Sequence, residues 1–193
     1  ARVFAYIVLM PIFFVRVLHK ENLRIHGGCV VICNHISNWD PIVLGHSVKT
    51  QPVCYMAKEE LFRNKVANWF LRHLHAIPVA RGKSDLKAVK TGLSALKSGK
   101  ILGIFPEGHR SETGELLPFE PGAALMALRA GVPVVPVYIS GNYKLFHQIK
   151  LYTHPAIDLK EIVGDKTNSA AIEQATEYLQ AVMAELKESA CQK

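Results

Sequence analysis

Residues 29–40 read CVVICNHISNWD, and residues 41–48 continue as PIVLGHSV. CVVIC is an uninterrupted apolar run rich in β-branched residues, the signature of a strand buried on both faces. Turn formers take over at Asn34, so the strand delivers His35 to a loop. Asp40 followed by Pro41 then supplies an acidic N-terminal residue and a proline at the first helical position, opening a helix over 42–48. A buried strand leading through a polar loop into a helix is the unit from which α/β domains are built.

The alternation continues outward from this unit. Upstream, LRIHG (23–27) reads as a short strand. Downstream, strands are expected at 53–56 and 77–80, with a helical patch over 59–74 between them. Ser84 caps a further helix, in which Leu86, Val89, Leu93 and Leu96 recur at helical spacing, Gly99 is the stop, and Lys87, Lys90 and Lys97 form the solvated side. KILGIF (100–105) is a buried strand that breaks at Pro106 into the polar stretch PEGHRSETGE. A helix over 123–130 stops at Gly131, PVVPVYIS (133–140) is another strand, and 168–188 is a long amphipathic helix. Strands alternating with helices argue an α/β domain around one sheet, whose ligand sites collect in loops beyond the strand ends.

The chain has 193 residues, 49% hydrophobic and 20% charged, which fits one compact domain with an appendage and excludes a disordered chain. No repeat or low-complexity tract is present. The front is separate in character: residues 3–15, VFAYIVLMPIFFV, carry no charge and are flanked by Arg2 and Arg16. A helix of that length covers about 20 Å, short of a hydrocarbon core of roughly 30 Å, so it lies in the membrane interface or re-enters rather than spanning. Pro11 kinks it, and no small-residue cleavage site of a secretory signal follows. Residues 1–20 are therefore expected to be a membrane-associating helix and residues 21–193 the folded domain.

Net charge is +7, concentrated at the front: residues 1–110 hold 16 Lys and Arg against 6 Asp and Glu, whereas the remainder is net negative. Such a field favours phosphate-bearing molecules and acidic lipid headgroups. Nucleic acid is a poor fit, because no stacking aromatics accompany the basic residues and no DNA- or RNA-binding motif appears. Cys29, Cys33 and Cys54 lie in apolar β-like runs and read as reduced, buried thiols of a cytosolic domain. Cys29, Cys33 and His35 lack a fourth ligand, so no metal site is expected. Gly82-Lys83-Ser84 is not a phosphate loop, because Ile77 stands where its first glycine belongs. His73 and His75 read as core or surface residues.

Within NHISNWD, a carboxylate bonded to one ring nitrogen of His35 would fix its tautomer and leave the other nitrogen as a base. Five residues through a turn can bring Asp40 back to it. Ser37 is the sole nucleophile between them, and no G-x-S-x-G elbow exists, so the pair points to activating a substrate's own hydroxyl. A histidine near an aspartate is by itself often no more than a capped loop.

NHISNWDPIVL (34–44), IPVARG (77–82), FPEGHRS (105–111) and VPVVPVYISG (132–141) follow one another in the order and spacing of four motifs of the glycerolipid acyltransferases. From about residue 23 to 156 the chain resembles the 1-acyl-sn-glycerol-3-phosphate (lysophosphatidic acid) acyltransferase family. The resemblance implies a single central mixed β-sheet flanked by helices. It also implies transfer of a fatty acyl group from acyl-CoA or acyl carrier protein to the sn-2 hydroxyl of lysophosphatidic acid, with no cofactor and no acyl-enzyme. His35 would be the general base and Asp40 its orienting partner. Arg81 and Arg110 would bind phosphate, a task suited to a planar guanidinium, and Lys58 is a further phosphate candidate. Glu107 would contact the acceptor, Gly108 would let the backbone approach it, and backbone N–H groups near Val79 would form the oxyanion hole. Where such sequences often carry Phe-Lys-x-Gly, this one has Phe119-Glu120-Pro121-Gly122, so no binding role passes to Glu120. The expected setting is the cytoplasmic face of an anionic membrane. The alternatives are the same chemistry on another lysophospholipid or glycerol phosphate, and a noncatalytic lipid-binding module.

Overall fold

A computed structural model describes residues 14–79 and 86–192. Its strands are β1 Phe14–Leu18, β2 Cys29–Cys33, β3 Val53–Lys58, β4 Ala76–Val79, β5 Ile101–Ile104, β6 Val134–Ser140 and β7 Gln148–Thr153. They form one seven-stranded sheet in the order β1-β7-β6-β2-β5-β3-β4. All neighbours are parallel except β6 with β7, so the sheet is mixed, and β1 and β7 run opposite to the other five. The helices are α1 Asp40–Ser47, α2 Lys65–His73, α3 Leu86–Lys97, α4 Gly122–Ala130, α5 Lys160–Val163 and α6 Ser169–Cys191.

The sheet centre explains the apolar run that begins the reading. Every residue of β2 is buried, and Val30 pairs with Leu102 of β5 on one side and Val134 of β6 on the other. Side chains alternate across a strand. Val30 and Ile32 pack with Leu96 of α3, Met126 of α4 and Leu179 of α6. Val31 and Cys33 pack on the opposite face with Ile42, Val43 and Leu44 of α1. α6 begins where its sequence says, with the Asn168 side chain accepting from Ala171 N at 2.9 Å.

Connectivity fixes where a ligand can sit. After β2 the chain crosses β5 by way of α1 to reach β3; after β5 it crosses β2 by way of α4 to reach β6. Two adjacent strands thus send their following loops in opposite directions, opening a crevice beyond their carboxyl ends.

Two expectations need correction and one element was unread. Phe14–Leu18 is a strand, not part of a helix over 1–20; the rest of that apolar run, residues 1–13, lies outside the described residues. Val15 and Val17 face the core beside α1 while Arg16 turns outward, a period of two that the surrounding apolar residues conceal. LRIHG is not a strand: Leu23 ends a 3₁₀ turn, and Leu23 and Ile25 anchor an irregular link by burial alone. β7, unread in the sequence, pairs with β1 and β6. The patch at 59–74 is a 3₁₀ turn, Glu59–Arg63, followed by α2. Ser84 and Arg81 lie outside the described residues.

Candidate active site

The crevice is floored by two loops, one after β2 and one after β5. Asn34 leaves β2 with its side chain bonded to both backbone groups of Ile139 on β6, donating to the carbonyl at 3.0 Å and accepting from the N–H at 2.6 Å. This side chain stands in for one more rung of the ladder and fixes the point from which the next residue projects.

His35 Nδ1 lies 2.8 Å from Asp40 Oδ2. The same oxygen accepts from the backbone N–H groups of Ile36 and Ser37, both at 2.7 Å, and Asp40 Oδ1 accepts from the Tyr143 hydroxyl at 2.6 Å. Asp40 is wholly buried. A carboxylate withdrawn from water needs such a set of donors to remain charged. Although Asp40 is the first residue of α1, its side chain turns back to the loop instead of capping the helix, and Trp39 occupies the cap position. With Asp40 accepting at Nδ1, the Nδ1–H tautomer is favoured and Nε2 keeps its lone pair.

The backbone of His35 is held from the other loop. Its N–H donates to Glu107 Oε1 at 2.8 Å, and its carbonyl accepts from Ser111 N at 2.8 Å. Glu107 Oε2 accepts from Leu117 N at 3.0 Å. Glu107 is 2% exposed. Burial pushes its carboxyl upward from the usual range, against the backbone donors of His35 and Leu117 that favour its ionised form. Its two oxygens thus tie the β2 and β5 loops together. The ring of His35 stacks on Phe105 with centroids 4.3 Å apart, and Phe105 is followed by Tyr55 of β3 at 6.2 Å. The stack leads from the dyad toward the β3 and β4 edge.

Gly108 has φ of +70°, a conformation that favours glycine, and its turn closes with an N–H bond to the Phe105 carbonyl at 3.1 Å. Gly108, His109 and Arg110 are exposed at the rim of the crevice. Lys58 and Val79 end β3 and β4 side by side, at the same end of the sheet as His35, with β5 between β3 and β2. On the α1 face a largely apolar cavity of about 400 Å³ opens among Pro41, Ile42, Val53, Tyr55 and Leu74, with His46, Arg72, His73 and His75 also in its lining. Among the described residues, no cluster of His, Cys, Asp and Glu could hold a metal ion. The sequence reading missed Tyr143, 103 residues from Asp40, because no local pattern links the two. It also gave no role to Phe105 or to the Asn34 clamp, although both stand inside the motifs.

Comparison with known proteins bears on this geometry. The Acyltransferase family model matches residues 14–140. The 1-acyl-sn-glycerol-3-phosphate acyltransferase of Bacillus subtilis (strain 168) is 42% identical over 160 residues, covering 81% of this chain and 75% of that protein. The enzyme of the same name from Saccharomyces cerevisiae is 34% identical over 152 residues, covering 75% of this chain and 49% of that protein. The crystal structure of the 1-acyl-sn-glycerophosphate (LPA) acyltransferase PlsC from Thermotoga maritima superposes with a TM-score of 0.71 at 28% identity, covering 91% of this chain and 71% of the other. With matching motifs, a matching sheet and a formed His35–Asp40 pair, the chain belongs to the 1-acyl-sn-glycerol-3-phosphate acyltransferase family.

Proposed function

We propose that this protein transfers a fatty acyl group from an acyl thioester to the sn-2 hydroxyl of lysophosphatidic acid, giving phosphatidic acid for phospholipid biosynthesis. The carrying observation is the 2.8 Å contact between His35 Nδ1 and the fully buried Asp40. It leaves Nε2 free to remove a proton, the one function that mere lipid binding does not need.

In this reading Nε2 takes the hydroxyl proton as the acceptor oxygen attacks the thioester carbon. Asp40 stabilises the imidazolium that forms. The tetrahedral oxyanion collapses, the carbon–sulfur bond breaks, and His35 returns the proton to the departing thiolate, so the products are phosphatidic acid and a free thiol. An acyl-enzyme is not part of the scheme. Cys33 is wholly buried, and burial together with the Asp40 and Glu107 charges pushes its thiol well above the usual range; Ser37 Oγ accepts from Trp39 N.

Arg110 is assigned to the acceptor phosphate, with Arg81 and Lys58 as further cationic contacts. Gly108 lets the backbone approach the acceptor, and backbone N–H near Val79 is assigned to the oxyanion. Glu107 serves the acceptor chiefly by holding the loops that surround it, since both its oxygens are already bonded. The apolar cavity beside Tyr55 suits an acyl chain. Acyl-CoA or acyl carrier protein is the donor.

A membrane surface is the proposed workplace. None of the described helices is long and apolar enough to cross a membrane. Six of the nine exposed large apolar side chains among the described residues support surface contact. Trp39, Leu61 and Leu86 follow the carboxyl ends of strands parallel to β2, while Phe14, Leu145 and Phe146 stand at the starts of β1 and β7, which run the other way. All six therefore gather at the His35 end of the sheet, where an anionic bilayer presenting lysophosphatidic acid would meet them.

The test is acyl transfer by purified protein to lysophosphatidic acid in anionic vesicles. His35→Ala is expected to lose at least about 10²-fold in kcat while sedimenting with vesicles as before. Equal turnover in the variant would refute the mechanism, and vesicle binding without turnover in the parent protein would favour the noncatalytic reading.

A further inference from the structure

Asp40 is held from a third direction that the four motifs do not include. The loop after β6 carries Tyr143 back over the start of α1, where its hydroxyl donates to Asp40 Oδ1 at 2.6 Å, the oxygen that the His35 ring and the loop N–H groups leave open. We propose that Tyr143 is a positioning residue of the catalytic dyad, fixing the carboxylate plane of Asp40 so that Oδ2 stays aimed at His35 Nδ1.

The geometry is specific. A carboxylate bonded at one oxygen alone can rotate about its terminal torsion, which is broad for Asp; a donor on the second oxygen closes that freedom. Tyr143 suits the task because its hydroxyl stays a donor: burial first, then the Asp40 charge and their mutual hydrogen bond, push its ionisation far above the usual phenol range. The other ionisable groups near the carboxylate are Cys33, itself pushed up by burial, and Glu107, whose oxygens are engaged elsewhere.

The chain also reaches this position through a constrained turn. Gly141 has φ of +115°, and a Cβ there would stand 2.6 Å from the Gln148 carbonyl at the start of β7. Only glycine lets β6 turn this close to β7 and carry Tyr143 over α1. The inference rests on the dyad being the acid–base catalyst.

The experiment compares full-length wild type, Tyr143→Phe, Asp40→Asn and the double variant, using lysophosphatidic acid and an acyl thioester. Tyr143→Phe keeps the ring and is expected to lower kcat by about 10-fold while KM for both substrates stays within about 2-fold, the split for an interaction that matters in the transition state. In the Asp40→Asn background it should cost at most about 2-fold more, because the partner it orients has already lost its charge. Wild-type kcat in Tyr143→Phe, a loss that multiplies fully on Asp40→Asn, or a change confined to KM each overturns the assignment. Should Tyr143→Phe not fold, Gly141→Ala decides: it retains the hydroxyl but displaces the turn, and unchanged kcat there counts against the proposal. Failure of the dyad reading itself has a separate sign, an active His35→Ala.

Discussion

The floor of the crevice and its rim are built on different principles. On the floor, Asp40, Glu107 and Asn34 are all at most 2% exposed, and their side-chain oxygens meet backbone N–H groups, His35 or Tyr143. On the rim, Arg110 and His109 stand in solvent, and along α2 Val66 and Trp69 are exposed while Arg72 bonds Asn68 of its own helix. Buried polar groups must be paired or they destabilise the fold, so the catalytic geometry is assembled by folding and waits for substrate. Exposed groups carry no such demand. The rim is not locked in this way, and floor and rim can be altered separately by substitution.

That separation can be attacked by substitution. The largest effect is expected for Asp40→Asn on the floor, which removes the charge that stabilises imidazolium: kcat should fall by about 10² to 10⁴-fold, with acceptor KM little changed. A steady-state titration of lysophosphatidic acid checks this, and a variant that mainly raised KM would erase the distinction. Arg110→Ala on the rim should do the reverse, raising acceptor KM by about 10-fold through loss of a charge-assisted phosphate contact at nearly constant kcat. A matching fall in kcat would move Arg110 into the catalytic floor.

The smallest effect sharpens the picture of the floor as a packed unit. A Cβ at Gly103 of β5 would stand 2.5 Å from the Tyr55 ring and 2.8 Å from Val53. Tyr55 cannot easily yield, because its hydroxyl donates to the Pro41 carbonyl at 2.6 Å and its ring continues the stack through Phe105 to His35. Gly103→Ala should therefore destabilise by about 1–3 kcal/mol, the usual cost of overpacking, read as a lowered denaturant midpoint. An unchanged midpoint would mean that Tyr55 and Val53 can move aside without cost.

Much of this could be read along the chain. The buried strand at CVVIC, the proline-opened helix after Asp40, the strand at 101–104, the glycine that ends α4 and the Asn168 cap of α6 all depend on neighbours within a few residues. So does the His35–Asp40 pair, whose spacing spans one turn. The misreadings share another cause. At 14–18 a strand at the sheet edge keeps its period of two beneath a longer apolar run, so composition argued for helix while pairing with β7 decided for strand. LRIHG has the apolar alternation of a strand, and Leu23 and Ile25 are buried, yet burial does not require a ladder partner. β7 lies between Gly141-Asn142 and Pro155, and its six residues become a strand through pairing with β1 and β6.

Local chemistry in the residues themselves determined the kind of domain, the family motifs and which histidine and aspartate form the dyad, because propensity, capping and short turns act over a few bonds. Tertiary structure alone decided that Glu107 joins the two loops, that Phe105 stacks on the imidazole, that Tyr143 closes the second oxygen of Asp40, and that Phe14 and Phe146 come to the same end of the sheet as Trp39. Those relations follow from strand order and direction, which bring together Asp40 and Tyr143, 103 residues apart, and which no short window of sequence encodes.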